Sequence, residues 1–329
     1  MKSDPVAVIA DRIEKAGRIL VISHIRPDGD AVGSLLGLGL SLAERGKQVE
    51  MVISDGVPQS LRHLTGSELV RNSPSGYFDL AIALDCSDLS RTGRALQDYG
   101  VPDVNIDHHA TNQNFARINL VDANAVSTTQ VLSEHLETWK LPLTKSVADA
   151  LLTGLITDTI GFRTANVTSE VMQIAARLME AGSNLSDLYH EGLVNRSYEA
   201  VRFWGAGLSR LEREGPVIWT TLTMADRQAA GYGGRDDADL INLLTTINDV
   251  TICLVFVEQP NKKVKVSWRS TPGIDISTVA MEFGGGGHPV ASGAEISGAL
   301  EDVRAAVLEK TLQLTKNNHQ YHMDGLRNE

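Results

Sequence analysis

Short apolar runs of strand length, spaced by helical patterns, constrain this chain more than any other feature of its sequence. They occupy residues 18–24 (RILVISH), 49–54 (VEMVIS), 80–85 (LAIALD) and 104–107 (VNID), with a helical pattern over 31–45. Continuous apolar runs that alternate with helices predict a parallel sheet buried by helices on both faces. Helical patterns then follow over 127–139, 146–159, 168–181 and 197–211. Thr168 stands as an N-cap, with Glu170 in the first turn facing the helix dipole.

The texture changes after Gly215-Pro216. Residues 217–222, 251–258 and 263–270 read as strands, and 239–247, 276–283 and 300–314 as helices. The fold class is therefore α/β and two-lobed. A parallel-sheet domain covers 1–190, a helical linker 191–215, a smaller α/β domain 216–316, and a polar, aperiodic, disordered tail 317–329. The 329-residue length suits two domains.

Net charge is −11, whereas a protein that coats long nucleic acid carries a basic face. Short nucleotides stay open as ligands, because metals and a few arginines supply positive charge locally. No apolar run reaches 18 residues, and residues 1–15 carry charges throughout, so neither a membrane span nor a signal peptide is expected. A cytoplasmic location follows. Cys86 and Cys253 are far apart, sit in apolar strand-like sequence and read as small core residues.

The chemistry gathers where strands end. His24, Asp28 and Asp30 lie in HIRPDGD, Asp85 and Asp88 in ALDCSD, Asp107, His108 and His109 in DHH, and Asp158 in GLITDTIGF. Singly, a strand-end Asp is more often a cap or turn residue than a ligand. The carboxyl ends of strands in an open α/β sheet, however, line one crevice, so these segments converge. Converging carboxylates repel and force protonation unless cations intervene. Asp28, Asp30, Asp85 and Asp158 carry four negative charges that two divalent ions neutralise. A shared carboxylate holds two such ions roughly 3.5–4 Å apart, suited to in-line attack on phosphorus. Mixed imidazole and carboxylate ligands favour manganese or another transition ion, such as cobalt, over magnesium. The other histidines (His63, His135, His190, His319 and His322) have no such context and are assigned to surface or packing.

A second cluster lies in residues 283–293, FGGGGHPVASG. Consecutive glycines are costly in conformational entropy and make sense where backbone approaches a ligand. The N–H groups of Gly285, Gly286 and Gly287 can cradle an anion, with His288 beside them. Arg269 and Ser270 end a strand nearby in sequence, and Arg269 can grip a phosphate bidentately. A flexible linker would mix glycine with serine and other polar residues.

These motifs, in this order, resemble those of the DHH/DHHA1 phosphoesterases. H-x-x-PDGDA-x-GS (24–34) resembles the first motif, Asp85 the second, Asp107-His108-His109 the third and Asp158 the fourth, while GGGGH with ASG resembles the DHHA1 signature. The resemblance spans about residues 15–315. It implies an active site between two lobes. One ion would be held by His24, Asp28 and Asp85, the other by Asp30, Asp85, His108 and Asp158. Asp107 would orient an imidazole, and His109 would contact the scissile phosphate or protonate the leaving group. Arg269, Ser270 and the GGGGH loop would bind the far phosphate or nucleotide. Hydroxide generated at the metals would be the nucleophile.

Within the family, the length and second lobe resemble stand-alone enzymes that cut very short RNA or DNA oligonucleotides, pApA included, and dephosphorylate 3′-phosphoadenosine 5′-phosphate (pAp). A cyclic di-AMP or pApA phosphodiesterase and a catalytically silent nucleotide sensor are the alternatives. Relatives of this type are often homodimers. Two positions depart from the pattern: Trp268 stands where an aliphatic residue is expected, and Gln130 where an acid is common.

Overall fold

Helix α1 (Pro5–Lys15) leads into β1 (Arg18–Ile22), α2 (Gly29–Glu44), β2 (Gln48–Val52), β3 (Leu80–Leu84), β4 (Val104–Asp107) and β5 (Ile118–Val121). Then come α3 (Thr128–His135), α4 (Lys145–Asp158), α5 (Ser169–Glu180) and α6 (Leu185–Tyr189). The structure, a computed structural model, describes the backbone of residues 4–325 and side chains over 4–315. The chain divides into two units, one ending at Asn195 and one beginning at Arg196.

In the first unit all the strands run parallel, in the order β2-β1-β3-β4-β5. The chain passes from β1 to β2 on one side and returns to β3 on the other. The carboxyl ends of β1 and β3 thus flank a topological switch point, where an open sheet leaves a crevice. Strand β5 lies beyond the four expected from the sequence.

One face of this sheet presents Ile19, Val21, Ile82, Leu84 and Ile106 to a core that includes Leu35 and Leu42 of α2 and Leu151 and Leu155 of α4. The other face departs from expectation. Leu20, Ile22, Ala81 and Ala83 meet Phe78, Ala95 and Leu96. The cover there is a short 3-10 turn (Leu89–Thr92) followed by irregular chain rather than an α-helix. Gly93 and Gly100, both at positive φ, interrupt any longer helix, and the two alanines leave a shallow face that turns can fill.

Helices α2 and α4 approach closely because glycine lines the contact. A Cβ on Gly33 would lie 2.5 Å from the Ala150 carbonyl oxygen, and one on Gly37 2.5 Å from Leu151 Cδ2. This crossing brings the amino end of α2 beside the carboxyl end of α4, where the acids lie.

The second unit holds α7 (Tyr198–Leu208), β6 (Glu212–Glu214), β7 (Val217–Leu222), α8 (Met224–Ala230), α9 (Leu240–Leu244), β8 (Ile252–Gln259), β9 (Lys263–Ser270), α10 (Ser277–Glu282), β10 (Gly286–His288), β11 (Ala291–Ser297) and α11 (Leu300–Gly325). Its sheet runs β10-β11-β9-β8-β7-β6, parallel only between β7 and β8. Leu254, Phe256, Val266 and Trp268 pack with Val279 and Val307 in one core cluster, and Ile218, Val255 and Val257 with Phe203 and Leu240 in another.

Residues 191–215, read from the sequence as a linker, do not form one connecting helix. A π-helical turn (His190–Val194) ends the first unit, and α7 packs into the second. Phe203 is fully buried, and Thr220 Oγ1 donates to the Gly207 carbonyl at 2.6 Å. The tail expected from 317 overlaps α11, whose backbone is helical to Gly325. Residues 326–329 lie outside the described residues.

Two glycine substitutions should act in opposite directions. Gly33→Ala forces Cβ against backbone and should destabilise by about 1–3 kcal/mol. Gly205→Ala, on an exposed turn of α7 with open space around it, should stabilise by up to about 1 kcal/mol. Denaturant melts of both variants check the pair; equal effects would contradict the packing described.

Candidate metal centre

Asp85 is the hub of the first unit. It follows β3 with φ 57°, a left-handed conformation that Asp tolerates better than most residues, and its amide donates to the Ile106 carbonyl at 3.0 Å. The residue is almost fully buried. Its two oxygens face different imidazoles: Oδ2 lies 3.3 Å from His24 Nε2, while Oδ1 lies 3.6 Å from His108 Nε2 and 3.6 Å from His109 Nδ1.

Three donor sets share this carboxylate; one joins it to Asp107 and His109, and the other two combine it with His24 or His108 and a further acid. His24, Asp28 and Asp85 form one, with His24 Nε2 also 3.7 Å from Asp28 Oδ1. Asp30, Asp85 and His108 form the other, with His108 Nε2 3.8 Å from Asp30 Oδ2. Asp158, at the carboxyl end of α4, places Oδ2 3.4 Å from the same nitrogen. These separations are near the edge of a coordination polyhedron with bonds of about 2.1 Å. The sequence-predicted ligands His24, Asp28, Asp30, Asp85, His108 and Asp158 are thus brought together.

The tautomers suit metal binding. His24 Nδ1 lies 2.8 Å from the Ile25 carbonyl and His108 Nδ1 3.3 Å from the Ala125 carbonyl. A proton on each Nδ1 leaves the lone pair of Nε2 facing the carboxylates. His24 Nε2 is a buried atom with no hydrogen-bond partner.

The electrostatics show the strain of gathering these groups. Burial raises the Asp30 carboxyl well above its ordinary range, and the charges of Asp85 and Asp28 add to this. Burial also opposes charge on Asp85, but His24, facing its Oδ2, and the imidazoles of His109 and His108 hold it low. Burial and the neighbouring His109 lower His108 and keep it neutral. Burial disfavours charge on His24, yet the facing carboxylates of Asp28 and Asp85 push it up to about 9. The same unbalanced charge would be neutralised by divalent ions.

Asp107 and His109 are paired directly beside Asp85. His109 Nδ1 donates to Asp107 Oδ1 at 2.8 Å. Burial again opposes charge, and Asp107, then Asp85, outweigh it, raising His109 to about 9. A protonated His109 can give its proton from Nε2.

Sequence reasoning missed Thr128 and Thr129, whose main-chain amides donate to Asp30 Oδ2 at 2.6 Å and Oδ1 at 3.0 Å. The amino end of α3 therefore steadies the buried acid. Thr128 Oγ1 also donates to Asp85 Oδ1 at 3.0 Å. The available signal was Ser127, the helix N-cap, directly before them. Asp88, noted with Asp85 in the sequence, caps the 3-10 turn by accepting from Ser90 N and Arg91 N. Gly154 is packed against the same acid: a Cβ there would lie 2.4 Å from Thr129 Cγ2 and 2.8 Å from Asp30 Oδ1.

In the second unit the expected phosphate-binding residues share one sheet end. Arg269 pairs with Ala291 in register, and His288 pairs with the same residue from the other side. Arg269 Nη1 donates to the Trp268 carbonyl at 2.9 Å, while its buried Nε has no partner. Ser270 Oγ donates to the Ile274 carbonyl at 2.7 Å, so its hydroxyl holds a turn.

The glycine run is an edge strand rather than an open loop. Gly285 and Gly287 have no room for Cβ beside Gly293 O and Ala291 O, whereas Gly286 faces open space. Trp268 is a core residue whose Nε1 reaches Thr311 Oγ1 at 3.2 Å, and Gln130 Oε1 accepts from Val126 N at 2.8 Å. Both departures from the family pattern therefore have local structural roles. Cys86 and Cys253 are buried, free thiols.

The family model described as the DHH family, N-terminal domain, matches residues 18–155, and the DHHA1 domain matches residues 229–316. The chain belongs to the DHH/DHHA1 phosphoesterase family. It is 33% identical to a bifunctional oligoribonuclease and PAP phosphatase NrnA of Thermus thermophilus, over 93% of each chain. The structure of an exopolyphosphatase-related protein from Bacteroides fragilis superposes with a TM-score of 0.81, at 25% identity over 94% of this chain and 95% of that one. RecJ of Thermus thermophilus, solved with Mn2+, shares the fold, with a TM-score of 0.56 at 17% identity over 94% of this chain and 55% of that one. Among the described residues no helix is long and apolar enough to cross a membrane.

Because burial and neighbouring charges favour the protonated forms of His24 and Asp30, metal binding should displace protons. Below about pH 9 a proton competes for His24 Nε2, so affinity should fall as pH falls. Titration calorimetry with Mn2+ at pH 7, in buffers of different ionisation enthalpy, should register proton release. Binding without it would remove both residues from the ligand set.

Proposed function

We propose that this chain hydrolyses very short oligonucleotides, pApA among them, to mononucleotides and removes the 3′-phosphate of pAp, using two divalent ions, of which manganese is the first choice. The observation that carries the reading is the doubly faced Asp85 carboxylate, with a complete donor set on each side. The activity for which the Thermus thermophilus relative is named supports the substrate class, and the Mn2+ bound to RecJ supports the choice of ion. A cytoplasmic location belongs to the same reading.

Bound there, two divalent ions would lower the pKa of water to supply the nucleophile and neutralise charge building on phosphorus. His24, Asp28 and Asp85 would hold one, and Asp30, Asp85, His108 and Asp158 the other. Thr128 and Thr129 keep Asp30 in place through their amides. His109, held by Asp107, gives a proton to the 3′-oxygen leaving phosphorus, so the departing nucleotide goes with a free 3′-hydroxyl. Arg269, Gly286 and His288 are assigned to the non-reacting phosphate. The exposed edge of the glycine strand and the unpartnered Nε of Arg269 support that role.

The test is a product time course with Mn2+, offering pApA, a pentanucleotide RNA, cyclic di-AMP and pAp in parallel. Mononucleotides should appear promptly from pApA and the pentamer, with pAp also cleaved. Dominant opening of cyclic di-AMP would move the protein to second-messenger turnover, and binding without turnover would make it a sensor. Asp85→Asn should lower kcat by at least ~100-fold. Wild-type turnover in that variant would end the two-ion reading.

A further inference from the structure

We propose that Asn112, a residue outside every motif described above, is a positioning residue that acts on the reaction through Asp107 and His109. The inference rests on the proposed role of His109. Asp107 is wholly buried, and each of its oxygens has a donor: His109 Nδ1 at 2.8 Å on Oδ1, and Asn112 Nδ2 at 2.5 Å on Oδ2. The same Asn112 nitrogen donates to the Cys86 carbonyl at 3.0 Å, while Asn112 Oδ1 accepts from the Asn114 amide at 2.7 Å. The amide orientation is fixed by its partners: two acceptors face the nitrogen and one N–H faces the oxygen.

This placement joins the ends of β3 and β4 where the ladder between them has stopped, although Asp107 still pairs with Val121 of β5. The β3–β4 ladder ends at Leu84 and Ile106, with the Asp85 amide on the Ile106 carbonyl as the last backbone bond. Beyond it, Asp85 and Asp107 lie on separate segments. Asn112 spans them, one N–H on Cys86 and one on Asp107, and the Gln113 amide adds a bond to the Ser87 carbonyl at 2.8 Å. A side chain with two N–H donors and one acceptor meets all three partners; a hydroxyl or a carboxylate does not. Without Asn112 a buried carboxylate oxygen has no donor, and Asp107 is free to rotate away from His109. The imidazole then loses its fixed orientation relative to the leaving oxygen, while the groups assigned to the ions keep their own supports.

A double-mutant cycle in the full chain with Mn2+ tests this. Asn112→Ala should lower kcat on pApA by about 10–100-fold with KM unchanged and Mn2+ stoichiometry retained. In a His109→Ala background the same change should have no further effect beyond about twofold, the mark of residues acting as one unit. On bis(p-nitrophenyl) phosphate, whose leaving group needs no proton, Asn112→Ala should stay within about threefold of wild type. Asn112→Asp keeps the volume but sets a second carboxyl against buried Asp107, and should be at least as slow as the alanine variant, with circular dichroism melts of both variants excluding a folding defect. Additive losses, loss of bound Mn2+, or an unaffected kcat would each overturn the assignment. His109→Ala alone reports on the underlying reading: if it leaves turnover of pApA intact, the role of His109 fails and that of Asn112 with it. If it is slow while Asn112→Ala is not, only the Asn112 proposal falls.

Discussion

Like charges held within a few ångströms of one another, with Asp30 and Asp85 out of water, are the constraint around which the first unit is built. Asp28, Asp30, Asp85 and Asp158 would separate if left to themselves. They stay together because each is tied to a different element and three imidazoles are threaded among them. Asp28 caps α2, Asp30 is held by the amides that open α3, Asp85 by the ladder at the end of β3, and Asp158 is carried on α4. No single segment supplies the site, so its geometry depends on the sheet and helices meeting in one register.

That register explains the protonation pattern. Asp30 is pushed towards its neutral form and His24 towards its charged form because the fold leaves their charges unbalanced. Asp85, with an imidazole near each oxygen, stays ionised. The Asp107–His109 pair is of a different kind. It is internally balanced, one anion against one cation, so it can hold a transferable proton beside a centre that otherwise invites cations.

Much of this was legible in the sequence, for a definable reason. Strand-length apolar runs fix where strands end, and in a parallel sheet the ends fix where acids and imidazoles go. His24, Asp85 and Asp107 could therefore be assigned together before any coordinates. The parts that were not legible depend on contacts between distant segments or on residues with no marked propensity. The Thr128 amide reaches Asp30 across 98 positions of chain, and a backbone donor leaves no signature in residue type. Strand β10 is made largely of glycine, which reads as a loop until Gly285 and Gly287 are seen pressed against β11. Helix α7 reads as a connector until Phe203 is found in the second unit's core.

The glycine at position 154 links two properties usually treated separately. It lets α4 approach its neighbours, and the space its missing side chain leaves is occupied by Thr129 and by an oxygen of Asp30. The contact surface between helices and the spacing of the acids are therefore set by the same absent methyl group. A lineage exploring tighter or looser helix packing here would alter the distance between charges with every step. Such a position cannot drift under selection for stability alone, because its neighbours measure it in units of chemistry as well as of volume.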